Sequence, residues 1–458
     1  MVCKGLKYSG KILEETMLER LFGLKAAGTT VRTEVGAGVT TFITMSYIIF
    51  LQPAILSVDF AGNPTGLSAD AVLLATCLSA FLATMIMGLW ANYPFAQAPG
   101  MGENYFFVTV IMAVTAMGVA EAWRVAMGIV FISGLLFLLL NLFRVREVVI
   151  NAVPQGLKSG IAAGIGLLIA LFGLRNGGLV DVSEATGLAM NPDLLSLDLL
   201  VFLVGLLLTG SLMALRVRGA VLWALVCSTV LALLLGKVSF TGLVGLPQDQ
   251  AFFAFDLRGA LDLRFLPFIV IFLFMDMFDT MGTLVGVGQQ GGFIKENRLP
   301  RANRALMADA VGTVAGACMG TSTVTTYAES AVGVDQGGRT GLTSVTTGLL
   351  FLLALFFTPL AAMVGTYPPI TAPALVVVGA MMIRSVAGID WRDPAEGISA
   401  FLILAGIPFC FSISDGLALG FIAYPSIMLF SGRGRRVSPL LYLLALLFIL
   451  RYVLFPVR

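Results

Sequence analysis

Residues 319–331 read MGTSTVTTYAESA, and residues 87–98 read MGLWANYPFAQA. In each, a Met-Gly pair closes an apolar run, and seven residues after the glycine comes an aromatic-Ala pair, Phe95-Ala96 in one and Tyr327-Ala328 in the other. The residue that follows is polar in both, Gln97 and Glu329. A looser correspondence relates Arg216 to Gly236 with Ser412 to Gly432, through a shared small-residue pattern and a similar place after a preceding span. Together these lay the first seven apolar segments over the last seven. An odd number of crossings per repeat turns the second copy upside down in the membrane, the build of inverted-repeat carriers.

The repeats sit in a chain suited to lipid. Of 458 residues, 58% are hydrophobic and 12% charged, and the charged share is about half that of a soluble domain. Runs such as Val125 to Leu142 and Gly341 to Val364 are long enough to cross roughly 30 Å of hydrocarbon. The pattern predicts an all-α polytopic membrane protein with spans at 35–56, 69–90, 98–117, 122–142, 157–174, 196–215, 219–236, 265–288, 304–319, 328–336, 341–364, 370–385, 397–412 and 414–431. Those are fourteen segments in two inverted seven-span repeats. Segments 98–117 and 328–336 are unlike the rest. Thr321 to Tyr327 is rich in β-branched residues and reads as extended chain, while Pro94 keeps Ala91 to Ala96 from being ordinary helix. Pro99 suits a first helical turn. Short extended segments are therefore expected before half-helices 3 and 10. Such backbone is tolerated at membrane depth only inside protein or along an aqueous cavity, so two broken helices at matching positions mark a candidate site near the midplane.

Charge distribution orients the chain. Lys4, Lys7, Lys11, Arg20, Lys25 and Arg32, then Arg144 and Arg146, Arg216 and Arg218, the Lys295 to Arg304 cluster, Arg339, Arg384 with Arg392, and Arg433 to Arg436 fall on one set of connections. The opposite set, around Asp59, Arg175 to Asp193, Lys237 to Asp262 and Tyr367, is poorer in base and richer in acid. The positive-inside rule then places both ends of the fourteen-span core in the cytoplasm, as for a bacterial inner-membrane protein. Residues 1–34 read as a cytoplasmic head with an amphipathic helix around Ile12 to Leu24, and lack a signal-peptide run. Leu440 to Phe455, which contains Arg451, reads as an interfacial helix, with a fifteenth span as the alternative.

Several function classes drop out. A net charge of +2 offers nucleic acid no strong field. Cys3, Cys77, Cys227, Cys318 and Cys410 are scattered, without a CxxC pair, so neither a disulfide framework nor a thiolate metal site is indicated. The absence of histidine removes His-based metal sites and catalytic triads. No metal, cofactor or catalytic residue is expected. GVGQQGG at 286–292 follows a membrane helix and not a strand, so the dinucleotide reading fails.

Polar residues inside apolar runs carry the functional signal. FLFMDMFDTMGTL, Phe272 to Leu284, holds Asp276 and Asp279 three residues apart, on one helical face. Each carboxylate costs about 2.5 to 3.5 kcal/mol at mid-bilayer on insertion scales. The plainer alternative for both is a buried acid that ties helices together. Glu329 and its neighbour Ala328 open the half-helix after the extended segment, and Glu103 and Asn104 stand one turn into the other, where a glutamate also suits the helix dipole. Gln97 joins the candidates by repeat symmetry; Asp309 reads as a packing or hinge acid. Phe278, Tyr105, Phe106 and Tyr327 belong to the core or the lipid face unless a planar substrate stacks on one.

At this level the chain resembles a known family. TTFITMSYIIFLQP (40–53), ANYPFAQAPGMG (91–102), DMFDTMGTL (276–284), GTSTVTTYAESAVGV (320–334) and GGRTGLTSVTTGLLF (337–351) are similar to the AzgA-like purine permeases of the nucleobase/ascorbate transporter superfamily. The resemblance runs in order over roughly residues 23 to 431. It implies a core domain of spans 1–4 (35–142) and 8–11 (263–365), and a gate domain of spans 5–7 (143–262) and 12–14 (366–436), flanked by residues 1–34 and 437–458. It implies uptake of hypoxanthine, guanine or adenine, driven by protons, and a homodimer through the gate domains. Carried over to this sequence, the substrate acids fall on Asp276 and Glu329, with Asp279 and Asn104 as supporting positions. APGMGENYFF departs from the family's APGMG-Leu-Asn-Ala at Glu103 and Tyr105.

The resulting expectation is a secondary transporter in which Glu329 and Asp276 hold a purine between spans 3 and 10. One acid among Glu329, Asp276 and Asp279 exchanges a proton in each cycle, and the core slides elevator-like against the gate. The alternatives are sodium coupling, since the same acids can hold a cation, uniport of another planar or polar solute, or an anion exchanger or channel on the same fold. An anion carrier would put base at the site.

Overall fold

The structure, a computed structural model, describes residues 17–143, 152–183, 187–240, 242–294 and 299–454. Ile12 to Thr16, Lys4, Lys7 and Lys11 of the head, Arg144 and Arg146, and Lys295 to Arg298 lie outside the described residues.

The first apolar segment is broken in two, α1 (Val31–Met45) and α2 (Ile48–Leu56). Thr30 caps α1 by accepting the Thr33 N–H at 3.2 Å, and the break leaves Tyr47 between the two helices. The helix α3 (Ala69–Ile86), capped by Ser68, ends in a π turn over Met87–Ala91 and at Asn92, whose φ of 52° is left-handed. Asparagine tolerates that region better than most residues, and its side chain accepts the Gly341 N–H at 2.7 Å. Strand β1 (Gln97–Pro99) follows, then α4 (Met101–Ala116), α5 (Ala122–Leu142) and α6 (Gln155–Asn176). A small hairpin, β2 (Val180–Ser183) with β3 (Gly187–Met190), leads to α7 (Leu197–Ala214) and α8 (Ala220–Leu234).

The second repeat starts with α9 (Leu266–Gln290) and α10 (Ala302–Met319). Strand β4 (Val324–Thr326) and the short α11 (Ser330–Asp335) come next, then α12 (Gly341–Ala354), α13 (Thr358–Gly365), α14 (Pro368–Met382), α15 (Pro394–Phe409), α16 (Ile413–Phe430) and α17 (Pro439–Leu454). The span expected at 341–364 is therefore two helices, parted at residues 355–357 with Pro359 just beyond. Among the described residues, eight helices, counting α1 with α2 as one, are long and apolar enough to cross a membrane. The remaining spans are shorter apolar helices, the glycine- and alanine-rich α10, and the half-helix α11. The chain is an all-α polytopic membrane protein of two inverted repeats.

The extended segments meet each other. β1 pairs antiparallel with β4, Gln97 opposite Thr326 and Pro99 opposite Val324, and the ladder continues through Tyr327 N–H to the Ala96 carbonyl at 2.9 Å and Gly100 N–H to the Thr323 carbonyl at 3.0 Å. Each strand thus supplies the hydrogen bonds that lipid would deny the other. Around this pair, α10 packs on α3 and α5, and α12 on α1 and α3. Helix α6 packs instead on α14 and α15, and α7 on α8 and α14. Gly341 approaches the π turn so closely that a Cβ there would lie 1.8 Å from the Gly88 carbonyl oxygen. At the C-terminus, α17 runs antiparallel along α16: Phe448 stacks near Phe421, and Tyr452 donates to Asp415. Leu441, Leu444 and Phe448 are buried, so this helix packs on the bundle.

Candidate functional site: two broken helices and their acids

The half-helix α11 begins after β4 has run through the middle of the protein, so Glu329 is delivered to the seam between α1, α9 and the strand pair. Its carboxylate is half-buried and accepts a hydrogen bond from Tyr47 Oη at 2.7 Å. Ala328 beside it is exposed. Asp279 is exposed too, accepting a long bond from Thr325 Oγ1 at 3.3 Å. One and two turns further along α9, Gly282 and Gly286 face open space, as does Gly36 on α1. A carboxylate turned to hydrocarbon would be costly, which suits this open face, the cleft beside Glu329, to water rather than to lipid. Lys158 of α6 lies beside it, its Nζ 5.0 Å from the centre of the Phe278 ring.

Asp276 stands one turn before Asp279 on α9, rotated toward α10 and β4. It is wholly buried, with Oδ2 taking the Thr313 hydroxyl at 2.9 Å and Oδ1 without a partner. Thr313 Oγ1 also accepts the Val324 N–H at 3.1 Å and lies 3.0 Å from the Val324 carbonyl. Asp276 is thereby tied to β4 through α10. The Asp309 carboxyl lies close to Asp276, and its Oδ1 accepts from Gln97 Nε2 at 2.9 Å and Thr326 Oγ1 at 3.2 Å. Asp309 Oδ2 and Gln97 Oε1 are again buried and unpartnered.

Asn104 is buried in a separate network. Its amide exchanges hydrogen bonds with Gln52, Gln52 Nε2 reaching Asn104 Oδ1 at 2.9 Å and Thr321 Oγ1 at 2.9 Å, and Ser322 donates to Asn104 Oδ1. That network fastens α2, α4 and the start of the extended chain together. Glu103 is almost fully buried, folded back over Gly100, with Asp279 and Asp276 as its charged neighbours. The structure therefore leaves Glu329, Ala328, Asp279 and Phe278 with surface on the cleft, and buries Glu103, Asp276, Gln97 and Asn104.

Sequence reasoning does not single out Tyr47, Gln52 or Thr313. Each is a polar residue in an apolar run, the signal that marks the acids, but hydroxyls and amides are common enough in membrane helices to pass unnoticed. Asp309 reads from sequence as a hinge or packing acid, and the structure gives it a place in the polar network.

A family model described as Permease family (Xan_ur_permease) matches residues 32–418. The chain belongs to this permease family. It is 42% identical to the adenine permease AdeP of Escherichia coli, over 95% of this chain and 96% of that one. It is 38% identical to the guanine/hypoxanthine permease PbuO of Bacillus subtilis, over 94% and 99%, and 46% identical to the putative permease MJ0326 of Methanocaldococcus jannaschii, over 95% and 98%. The transmembrane domain of the cyanobacterial bicarbonate transporter BicA shares the fold, with a TM-score of 0.61 at 17% identity, covering 85% of this chain and 97% of its own. SLC26A9 does so with a TM-score of 0.65 at 11% identity, over 93% and 70%. This permease is an integral membrane transporter and not an enzyme.

Proposed function

We propose that this permease carries purine nucleobases, hypoxanthine, guanine or adenine, into the cell across a bacterial inner membrane, its N-terminus cytoplasmic. The carrying observation is Glu329: a carboxylate at the head of a half-helix, steadied by Tyr47 and half-open to the cleft beside Asp279. A purine edge offers adjacent N–H donors, and a carboxylate accepts two at once. Glu329 takes that edge, Asp279 a second donor, and Phe278 with Ala328 shapes the flat pocket. Glu103 lends negative potential, Asn104 holds half-helix α4 in register, and Gln97 aligns the strand pair.

The buried Asp276–Asp309 pair, rather than the open acids, is the better proton store, because its proton is shielded from water and is linked through Thr313 to the strand beside the substrate. Glu329 and Asp279 complete the coupling when a base binds. The helices gathered around β1 and β4 form the core, and α6–α8 with α14–α16 the gate; sparse packing between the two groups supports elevator-like sliding. Association of two copies through the gate helices belongs to the same reading.

Radiolabelled purine uptake in cells lacking their own permeases tests it. Glu329→Gln and Asp279→Asn should each abolish saturable uptake with the protein still in the membrane; unchanged uptake in both would sink the site. Collapse of the proton gradient should halt accumulation in sealed vesicles, and removal of sodium should not. The reverse result would hand the unpartnered oxygens of Asp276, Asp309 and Gln97 to sodium.

A further inference from the structure

On the side of the 57–68 loop, away from the cleft at Asp279, a cavity of about 630 Å³ opens between the α2–α3 connection, α4, α6 and α14. Its floor is a set of three rings from three different elements. Phe60 follows α2, Tyr105 comes from α4, and Phe172 from α6. Phe60 and Phe172 are 4.3 Å apart with planes 30° from parallel, Tyr105 and Phe172 5.3 Å at 15°, and Phe60 and Tyr105 6.1 Å at 23°. The three rings lie within 30° of parallel, Tyr105 and Phe172 buried and Phe60 half-buried above them, so Phe60 is the ring with surface left for another flat ring to stack on.

One turn along α6 from Phe172, Arg175 also lines the cavity and makes no ion pair among the described residues. Three acids line the cavity with it, Asp59, Asp70 and Asp181, and each has a partner of its own. Asp59 accepts the N–H groups of Ala61 and Asn63, both at 2.8 Å, and Asp70 accepts the Gln248 N–H at 3.3 Å. Those bonds from Asn63 and Ala61 outweigh what burial there is and hold the Asp59 carboxyl below its usual range. What the cavity offers a solute is an aromatic floor and a guanidinium with donors to spare.

We propose that this vestibule is a second binding site, distinct from the Glu329 site, for a planar nitrogen heterocycle with an acceptor edge: the transported base itself, held before it reaches the cleft. The base stacks on the ring cluster, and Arg175 donates to its ring nitrogens or exocyclic oxygen. Tyr105 directly follows Asn104 on α4, so one half-helix carries both the floor of the vestibule and part of the inner network. Movement of α4 with the core takes Tyr105 out of the ring cluster and opens the path inward. The inference rests on the nucleobase reading, and its test separates the two.

Equilibrium binding of a radiolabelled base that the uptake assay shows to be carried would be counted on the purified full-length protein in detergent. Wild type should bind two bases per chain. Glu329→Gln should retain one, the double variant Phe172→Ala/Arg175→Ala should retain the other, and the triple variant none. Arg175→Ala alone, which leaves the ring packing intact, should weaken the outer site about tenfold and guards against a misfolded Phe172 variant. One base per chain in wild type, lost in Glu329→Gln and untouched by either vestibule change, would overturn the second site alone. No binding or uptake of any nucleobase by wild type would instead retire the nucleobase reading.

Discussion

Tyr47→Phe removes one oxygen and little else. Tyr47 is 3% exposed, so the phenyl ring keeps its packing while Glu329 Oε1 loses the hydroxyl 2.7 Å away. A hydrogen bond to a charged group contributes about 1.5 to 3 kcal/mol, and about 1.4 kcal/mol is tenfold in an equilibrium constant. If Tyr47 holds the ionised Glu329 in the orientation that meets the purine edge, the KM for uptake should rise between about tenfold and a hundredfold, with membrane abundance little changed. The decisive comparison is a double-mutant cycle. When Tyr47 acts only through Glu329, Tyr47→Phe has no further effect on base binding in a Glu329→Gln background. Binding losses that simply add, or a KM unmoved by Tyr47→Phe, would refute the assignment of Glu329 as the oriented substrate acceptor.

Three further outcomes follow from the same packing. Gln52→Leu takes the Gln52 partner from the Asn104 NH2 group and from the Thr321 hydroxyl in a buried site, at about 1 to 3 kcal/mol for each group left unpaired; thermal unfolding in detergent should fall by several degrees, and an unchanged midpoint would disprove the network's role. Gly341→Ala forces a methyl group to within 1.8 Å of the Gly88 carbonyl oxygen, and overpacking of backbone on backbone should cost about 3 kcal/mol or more, read as loss of folded protein from the membrane fraction; wild-type abundance would show that the two segments part freely. Asp393 meets Arg433 with two bonds of 2.9 Å and caps α15, and the Arg433 guanidinium holds its carboxyl below the usual carboxylate range. The link is therefore present above the ordinary carboxylate pKa and lost as pH falls through the lowered folded value. Asp393→Asn should lower the unfolding midpoint at pH 7, and the gap should close as the pH drops below about 4; a gap constant with pH would rule out the charged pair.

The inverted repeat was legible because it is a matter of local chemistry. A Met-Gly pair closing an apolar run, a β-branched stretch and a proline each act on the backbone around them, so the broken helices at Gln97 and Glu329 could be located before any contact was known. The same holds for the acids: the cost of a carboxylate in lipid depends on the solvent and not on the neighbour, and Asp276, Asp279 and Glu329 stand out by that cost alone. Their roles could not be read that way. Asp276 and Asp279 share a helical face in sequence, with Asp276 expected to touch substrate and Asp279 to support it; the structure turns Asp279 into the cleft and Asp276 toward Thr313 and Asp309. A rotation of less than one turn decides which acid meets water, and that rotation is set by α10 and β4, which lie dozens of residues further along the chain. Tyr47, Gln52 and the ring cluster of Phe60, Tyr105 and Phe172 belong to the same class: each depends on segments far apart in sequence, where hydrophobic pattern specifies that a residue is buried and only packing specifies against what.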